Sequence, residues 1–436
     1  MRYRLRDIPG MLATAAGRTQ IGEGVGYRMW PVMSRLARLH RRTVARRTRV
    51  VAVIGSSGKS TTLRAVAAAL GITPTSTMIH NAWGSVSSAV LRIGRGQPHA
   101  AIEVGIADKG QMRSYSRVVL PDVTVVTSIG SEHHRSLGTL DVTRDEKAWV
   151  VRVLPPEGTA VLNGDDPNVM WMAGETRARV VTFGFGAGCD VRAEDARIDW
   201  PHGTRFRLAA FGETRDVAIR LVGRHLVYPA LAAVAVARVE GVPLDDALAR
   251  VASVAPTPGR LEPVPLPGGA TLLRDEYKST IESIDAALDT FGDVPARRRI
   301  VLLGDISEPR APQRSAYLHV GERVARVASH LLVVGGMLDA YHSGARRGGM
   351  PGSNIVDAGR TPRQAADALA ALLEPGDVVL LKGRDTQRLD RVRLILQGRT
   401  VRCDIRFCDV RTIECVDCGM LERGWGARSP PMPRGE

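Results

Sequence analysis

Residues 50–71 read VVAVIGSSGKSTTLRAVAAALG, and this stretch decides the fold of the chain. An apolar run ending at Ile54 predicts a buried strand, a Gly/Ser loop follows, and alanine-rich sequence then predicts a helix. A strand, such a loop and a helix in this order are the context in which a G-x-x-G-K-[ST] sequence binds phosphate. A strict Walker A sequence would have Gly at position 53, where this chain has Val53, so the motif is present in its shorter form.

The loop predicts a nucleotide phosphate site at the N-terminus of the helix. Backbone N–H groups there hold phosphate oxygens, while glycines keep side chains out of the way. Lys59 is positioned for the β and γ phosphates, and Ser60 is the expected Mg²⁺ ligand. The predicted nucleotide-binding residues of the loop are Gly55, Ser56, Ser57, Gly58, Lys59, Ser60 and Thr61. A glycine-rich turn with an incidental lysine is the alternative.

Lysine usage makes Lys59 stand out. The chain has 60 Lys and Arg residues, of which 55 are arginine. An ordinary surface cation in this protein is therefore usually an arginine. Each remaining lysine is a candidate for a role that needs a compact charge or a reactive amine. The five lysines are Lys59, Lys109, Lys147, Lys278 and Lys382, and for Lys109 chance is the open alternative.

Two series of strands and helices follow the loop. Residues 99–105 and 123–130 read HAAIEVG and VTVVTSIG, and residues 299–305, 330–336 and 377–383 read RIVLLGD, HLLVVGG and DVVLLKG. Buried strands that alternate with helical sequence indicate an α/β fold with mostly parallel sheets. We therefore expect a P-loop central domain over residues 49–256 and a Rossmann-like α/β C-terminal domain over residues 257–400.

Composition limits the partners and the compartment. The 436 residues carry a net charge of +15, but the aromatic fraction is 4% and no nucleic-acid-binding signature is present, so nucleotide phosphates and acidic substrates are favoured over nucleic acid. No apolar run reaches the roughly 18 residues that span a bilayer, and the first residues are too charged for a secretory signal. The sequence predicts no transmembrane segment and a cytoplasmic location.

The first 48 residues form a basic segment that we expect to be partly helical. Apolar residues recur at helical spacing at Met29, Val32, Met33, Leu36 and Leu39, which predicts an amphipathic helix. Docking on the protein itself is the first interpretation. Peripheral contact with a membrane surface, or binding of an anion, is the alternative.

Four of the five cysteines lie close together near the C-terminus. They follow the spacing C-x₄-C-x₆-C-x₂-C in a tail that we delimit as residues 401–436, and they are Cys403, Cys408, Cys415 and Cys418. Thiolates at such spacings can close a tetrahedral Zn²⁺ site. A structural zinc ion and unliganded thiols are both open, and disulfides are disfavoured in a reducing compartment.

Segments along residues 50–390 together resemble the Mur ligase family, especially its D-alanyl-D-alanine-adding members. The segments keep the order of the family, and they are GSSGKSTT (55–62), NAWGSVSSAVLRIG (81–94), IEVGIADKGQM (102–112), TSIGSEHHRSLGT (127–139), DEKAWVV (145–151), GTAVLNGDDPNV (158–169), PGRLE (258–262) and RDEYKST (274–280). The resemblance implies an ADP-forming ligase that uses ATP and Mg²⁺, activates a carboxylate as an acyl phosphate and couples it to an amine.

The resemblance also implies metal-binding residues. Glu103 ends a buried strand at the edge of the sheet where ligands bind, and it would hold a Mg²⁺ ion together with Ser60. His133 would bind a second metal ion, with Lys147 carrying a carbamate formed from CO₂ as a further ligand. His134 directly follows His133, and the spacing from the neighbouring glycines favours His133. For Lys147 an unmodified ion pair is the open alternative.

Further residues are implied on the ATP and substrate sides. Arg260 would reach the phosphates, Asp275 would hold the ribose hydroxyls, and Tyr277 follows it. Lys382, at the end of the last strand, is placed to hold the carboxylate of the amine substrate. The predicted catalytic residues are Lys59, Lys147, Arg260 and Lys278.

The sequence departs from the family pattern in four places. The UDP-binding domain is replaced by the basic segment of residues 1–48, which makes a UDP-muramoyl peptide doubtful as substrate. The family's H-N-x-x-N becomes HLVYP at residues 225–229, and its Y-N-A-N-P becomes YKSTI at residues 277–281, which adds the cation of Lys278. Arg135 stands where an acidic residue is common.

We therefore expect an ATP-dependent amide ligase acting on small-molecule or peptide carboxylates and amines, outside the standard synthesis of UDP-muramoyl peptides. A polymerising ligase of the poly-γ-glutamate or cyanophycin type is one alternative. A catalytically silent nucleotide-binding scaffold is another, and ATP turnover that no acid or amine stimulates would indicate it.

Overall fold

The chain divides into two compact units in a computed structural model that describes residues 8–12, 15–73, 81–130, 134–309, 312–408 and 414–424. The first unit comprises Gly26–Pro256. The second comprises residues from Thr257 onward together with the described residues up to Val25. The basic segment therefore does not form a body of its own, because its part from Gly26 onward belongs to the central unit.

The central unit is built on an eight-stranded sheet. Its helices and strands are α3 (Trp30–Arg42), β1 (Arg49–Ile54), α4 (Lys59–Ala69), α5 (Gly84–Leu91), β2 (His99–Glu103), α6 (Gln111–Val119), β3 (Val123–Val126), α7 (His134–Leu137), α8 (Leu140–Arg152), β4 (Thr159–Asn163), α9 (Pro167–Met170), β5 (Arg179–Gly184), β6 (Val191–Asp199), β7 (Gly203–Ala210), β8 (Glu213–Ile219), α10 (Val227–Val239) and α11 (Leu244–Ala252). Two helices, α1 (Ile8–Leu12) and α2 (Ala15–Arg28), precede them.

Strand β1 lies inside this sheet, whose order is β2-β1-β3-β4-β5-β6-β7-β8. Strands β1 to β6 pair in parallel, and β7 and β8 add antiparallel strands at one end. Residues Val50–Ile54 are all buried, as a continuous apolar run requires in a strand covered on both faces. The expected central α/β fold with a mostly parallel sheet is confirmed.

The C-terminal unit contains a second, six-stranded sheet in the order β13-β12-β11-β14-β10-β9. All pairs are parallel except β9 with β10, so the predicted second α/β domain is also confirmed. Its elements are β9 (Glu262–Pro265), β10 (Thr271–Asp275), α12 (Ile281–Gly292), β11 (Arg299–Leu303), α13 (Gln313–Val327), β12 (His330–Val333), α14 (Leu338–Arg347), β13 (Ile355–Asp357), α15 (Pro362–Ala370), β14 (Val378–Lys382), α16 (Asp390–Leu396) and α17 (Met420–Arg423).

Helix α3 is fastened to the central unit by the buried guanidinium of Arg41. Its Nη2 contacts Asp122 Oδ2 at 2.8 Å, its Nη1 donates to the carbonyl of Ala45 at 2.6 Å, and its Nε donates to the carbonyl of Val119 at 3.2 Å. Asp122 Oδ2 also accepts from the backbone N–H of Val50 at the start of β1. One arginine thus joins α3 to the ends of α6 and β1, so the helix docks on the protein as expected, but most of the apolar residues from which docking was predicted are exposed on its outer face.

Arg41→Ala is expected to lower the free energy of unfolding of the central unit by about 2 kcal/mol, because it removes a buried guanidinium that donates to the part-buried Asp122 carboxylate and to several backbone carbonyls. Urea unfolding followed by tryptophan fluorescence measures the change. Arg42→Ala is the matched control, since Arg42 is exposed, and it should change stability by less than about 0.5 kcal/mol. Equal losses in the two variants would contradict the anchoring role of Arg41.

Candidate nucleotide and metal site

The phosphate loop lies against the end of β3. Gly55 has φ +150°, and a Cβ at that position would collide with Thr127 Oγ1. The backbone N–H of Ser56 donates to the carbonyl of Ser128 at 2.8 Å, and Thr127 Oγ1 donates to the carbonyl of Ser57 at 2.6 Å. Only glycine allows this approach, and the bonds to residues 127–128 hold the loop in one conformation.

Helix α4 begins directly after the loop. Its N-cap Gly58 has φ +79°, in the left-handed region that favours glycine. The N-terminal turn of an α-helix presents backbone N–H groups and the positive end of the helix dipole to an anion. Lys59 Nζ lies over the loop, where it donates to the carbonyls of Gly55 at 2.8 Å and Ser56 at 3.2 Å. The predicted loop residues are therefore assembled as a phosphate cradle requires.

A buried carboxylate stands beside the cradle. Glu103 ends β2, next to Val53 of β1 in the parallel register, and is 1% exposed. Ser60 Oγ donates to Glu103 Oε2 at 2.8 Å, and Asn81 Nδ2 donates to Glu103 Oε1 at 2.7 Å. A serine hydroxyl and a carboxylate are hard oxygen ligands of the kind that Mg²⁺ takes together with phosphate oxygens, so these residues fit the ion.

Asn81 is a site residue to which the sequence analysis gave no role. Its carbonyl accepts from the backbone N–H of Gly105 at 2.8 Å, and a Cβ on Gly105 would lie 2.7 Å from Asn81 Cγ. Gly105 therefore leaves the space in which the amide reaches Glu103. The NAWG sequence at residues 81–84 was the available indication, but the partner of Asn81 depends on contacts between distant segments.

An aromatic cluster supports the segment that carries Asn81. Trp83 has φ +45°, and its backbone N–H donates to the hydroxyl of Tyr115 at 3.1 Å. Its ring meets those of Trp30 and Tyr115 edge to face, with centroids 5.6 Å away in both cases. Edge-to-face rings at such distances attract each other. Helix α3, through Trp30, thus packs against the segment that orients the Glu103 carboxylate.

Lys147 reaches the phosphate loop from α8. The helix starts at the N-cap Thr139, whose hydroxyl accepts from the backbone N–H of Val142. Lys147 is buried, and its Nζ donates to Ser56 Oγ at 2.8 Å. The structure therefore brings together the loop, Glu103 and Lys147. The predicted metal ligand His133 lies outside the described residues, so its role stays a prediction, as does the carbamate on Lys147.

The altered H-N-x-x-N segment forms an aromatic surface in the central unit. Tyr228, which directly precedes the position of the second asparagine, donates its hydroxyl to Asp165 Oδ2 at 2.8 Å, and burial raises the pKa of this phenol above its ordinary value. Its ring meets that of Phe185 edge to face with centroids 5.1 Å apart, and the guanidinium of Arg224 lies 4.2 Å from the Phe185 centroid. Neither asparagine of the family pattern is present, and rings and a cation lie beside their positions.

In the C-terminal unit, Lys382 has partners other than those expected. Its side chain is 1% exposed, and its Nζ donates to Asp275 Oδ2 at 2.6 Å and to the carbonyl of Lys278 at 2.7 Å. Burial lowers the pKa of the ammonium, and the Asp275 carboxylate opposes that shift. A buried ammonium with these partners is poorly placed to hold a substrate carboxylate, so its observed contacts are structural.

Two further predicted residues of this unit lie together. The guanidinium of Arg260 lies over the ring of Tyr277, 4.6 Å from its centroid, and Tyr277 is exposed. Such a contact holds the long arginine side chain in a defined direction. Asp275 also accepts from the backbone N–H of Leu261, next to Arg260. The PGRLE and RDEYKST segments therefore form one cluster, and the nucleotide contacts predicted for Arg260 and Asp275 stay predictions.

The four clustered cysteines line one small cavity together with Arg388 and Arg391. All four thiols are free, and burial raises the pKa of the Cys403 and Cys415 thiols above their ordinary value. Over the described ranges, no group of three or more His, Cys, Asp or Glu side chains is placed to hold a metal ion. The zinc prediction is therefore not supported, because a site needs converging thiolates and burial favours the neutral thiol.

Among the described helices, none is both long enough and apolar enough to cross a bilayer.

Comparison with known proteins gives consistent matches. The family model described as Mur ligase middle domain matches residues 53–237, and the model described as Mur ligase, glutamate ligase domain matches residues 259–384. UDP-N-acetylmuramoyl-tripeptide--D-alanyl-D-alanine ligase of Mycobacterium tuberculosis (strain ATCC 25618 / H37Rv) is 30% identical over 367 residues, which cover 79% of this chain and 72% of that protein. The Escherichia coli (strain K12) protein of the same name is 30% identical over 63% of this chain and 61% of its own length.

Solved structures share the fold. MurF from Acinetobacter baumannii has a TM-score of 0.76 at 24% identity, covering 85% of this chain and 81% of its own. MurF ligase from Thermotoga maritima in complex with ADP has a TM-score of 0.73 at 21% identity, covering 85% and 83%.

Gly105→Ala is expected to weaken Mg²⁺-dependent ATP binding at least about fivefold, because the new methyl displaces the Asn81 amide that orients Glu103. Binding of a fluorescent ATP analogue, titrated with Mg²⁺ and with EDTA, measures the effect. Binding in EDTA should change little, since the loop itself is intact.

Gly94→Ala is the matched control. The nearest atom to a Cβ there is Gln97 Oε1 at 3.9 Å, so the methyl fits. Unchanged Mg²⁺ dependence in the Gly105 variant would show that Asn81 does not position the carboxylate.

Proposed function

This chain belongs to the Mur ligase family of ATP-dependent, C–N bond-forming ligases, and from that premise we propose that it activates a carboxylate as an acyl phosphate and couples it to an amine. The observation that carries the proposal is the assembly of the phosphate loop, the buried Glu103 carboxylate and the buried Lys147 ammonium at one edge of the central sheet. ATP and Mg²⁺ are the cofactors of this reaction.

The central unit would hold the triphosphate. Backbone N–H groups of the loop and the Lys59 ammonium bind the β and γ phosphates, while Ser60 and Glu103 hold the Mg²⁺ ion. Bound Mg²⁺ supplies charge neutralisation at the phosphates. Asn81 and Ser60, which already donate to the two Glu103 oxygens, keep that carboxylate oriented. Preorganised groups of this kind stabilise the charge that develops during phosphoryl transfer.

The chemistry would proceed in two transfers. A carboxylate oxygen of the acid attacks the γ phosphorus, the bond to the β-phosphate oxygen breaks, and ADP leaves. The amine nitrogen then attacks the carbonyl carbon of the acyl phosphate, loses a proton and expels inorganic phosphate. Lys147 as an ammonium, together with the cations Arg260 and Lys278, is proposed to offset the charge of the phosphoryl group, whereas a carbamate on Lys147 would be an anion and would act as a metal ligand instead.

We propose that the nucleobase lies against Tyr228 and Phe185. Support comes from the half-buried rings beside a segment that lacks the family's two asparagines, and from the Tyr228–Asp165 bond that fixes one ring. Base stacking on an aromatic side chain tolerates the loss of specific amide contacts.

Tyr228→Ala should weaken ATP binding about tenfold, whereas Tyr228→Phe, which keeps the ring, should retain most of the affinity. Equal losses by equilibrium binding would instead indicate that the hydroxyl is the contact.

The relatives are named for a UDP-N-acetylmuramoyl-tripeptide and D-alanyl-D-alanine, and both belong in the first substrate screen. We propose an acid other than a UDP-muramoyl peptide. Support comes from Lys278, which adds a cation to the segment that contains Asp275 and Tyr277. The added positive charge changes the electrostatic environment that a negatively charged acid substrate would meet. Turnover of the muramoyl tripeptide as efficiently as of any other acid would overturn this part of the proposal and leave the reaction class intact.

The acyl-phosphate step has a direct isotopic test. An acid labelled with ¹⁸O in its carboxylate should transfer one ¹⁸O atom to inorganic phosphate for each amide formed, and phosphate mass spectrometry measures the transfer. Unlabelled phosphate in the presence of amide product would exclude the proposed intermediate. A ladder of products would indicate repeated addition to the same acid.

Lys59→Ala should lower amine-dependent ADP release by at least about 100-fold, because it removes the cation at the transferring phosphoryl group. Lys109→Ala is the matched control, since Lys109 is exposed, and it should retain full activity. Full activity of the Lys59 variant would overturn the proposed site.

A further inference from the structure

The outer face of helix α3 carries a stripe of exposed aliphatic side chains. Met29, Val32, Leu36 and Leu39 are 44%, 48%, 52% and 60% exposed, and their spacing of three or four residues places them in one row. At 1.5 Å per residue the row extends about 15 Å. Single exposed apolar residues are common on proteins, but a contiguous row marks an interaction surface.

A row of arginines runs beside this stripe. Arg28, Arg35 and Arg42 recur every seventh residue and are exposed. Within α3, every seventh residue lies near the same face, about 20° further round, so the guanidiniums of Arg35 and Arg42 follow the aliphatic row, and Arg28 ends α2 directly before Met29. Arg46 and Arg47, just beyond the helix, are exposed as well.

Acidic residues are missing from the surrounding sequence. No Asp or Glu stands between Glu23 and Glu103. Helices α3 and α5 both lie in this interval and pack against each other. His40 of α3 contacts the carbonyl of Ile93, and exposed Arg92 and Arg95 flank that residue. The arginines of α3 are therefore joined by further cations from the neighbouring segment.

The inner face of α3 fixes the direction of the outer one. Ala37 and Arg41 are buried, and Trp30 packs against Trp83 and Tyr115. With these residues anchored, the aliphatic row cannot turn toward the core of the central unit. The aliphatic row is thus presented by a helix that is already folded, so a binding partner does not have to induce the folding of this helix.

We propose that the outer face of α3 binds the surface of a bilayer that contains anionic lipids. The aliphatic row would enter the boundary between headgroups and acyl chains, and the arginine row would contact lipid phosphates. A surface patch that is half aliphatic and half cationic, without acidic residues, complements such an interface. Nucleic acid would match the arginines but not four aliphatic side chains. The 13-residue helix would lie in the interface plane.

Vesicle co-sedimentation of the full chain tests the proposal. Binding to phosphatidylglycerol/phosphatidylcholine vesicles at about 0.15 M salt should exceed binding to pure phosphatidylcholine at least tenfold. The triple variant Arg28→Gln, Arg35→Gln, Arg42→Gln should lose roughly fivefold per arginine, and Leu36→Ser with Leu39→Ser should lose about tenfold.

A charge-matched control separates this surface from general electrostatic attraction. Arg177→Gln, Arg179→Gln, Arg220→Gln removes three exposed arginines of the same unit outside α3, and it should bind the vesicles as the parent does. Equal loss in both triple variants would overturn the proposal, as would equal binding to neutral vesicles. Concentration-dependent dimers that disappear in the Leu36/Leu39 variant, without vesicle binding, would assign the face to a second copy of the chain. None of these outcomes depends on the ligase reaction, because vesicle binding is measured without substrates.

Discussion

A carboxylate that is almost completely buried needs hydrogen-bond donors, and Glu103 imposes this requirement on the whole central unit. One donor comes from Ser60 at the start of α4, and the other comes from Asn81 in a segment that precedes α5. Because Glu103 is next to Val53 in the sheet register, the donors and the phosphate loop must converge on the same strand ends. The glycines at positions 55 and 105 are the consequence, since side chains there would occupy the space that these contacts use.

The elements around this carboxylate were predictable from sequence because their determinants are local. The apolar run of β1, the glycines of the loop and the alanine-rich α4 are contiguous, and each follows from periodicity or backbone freedom. Glu103 could be placed because carboxyl ends of parallel strands share one edge of a sheet. The hydrogen-bond partners of individual side chains could not be predicted in this way. The Asn81 amide, the Tyr228–Asp165 bond and the Lys382–Asp275 pair join residues far apart in the chain, and no local pattern encodes them.

The same distinction explains the two terminal segments. Helical spacing in the basic segment correctly indicated an amphipathic helix, but the periodicity does not reveal that Arg41 and Trp30 lock one face while the aliphatic row faces outward. Cysteine spacing left a zinc site and unliganded thiols both open, and the structure gathers the four thiols around one cavity without the convergence that a metal ion requires. Spacing limits which residues can meet, and packing and burial decide what they do when they meet.

The uneven use of lysine and arginine makes this protein unusually suitable for amine-directed labelling. Acylating reagents modify amines and spare guanidiniums, so only five side chains can respond in a chain with 55 arginines. Lys109 is exposed, whereas Lys147 and Lys382 are buried and Lys59 lies over the phosphate loop. Lys109 is therefore the surface reference in the labelling pattern, Lys382 reports on the core of the C-terminal unit, and the other modified peptides report on positions of the proposed machinery.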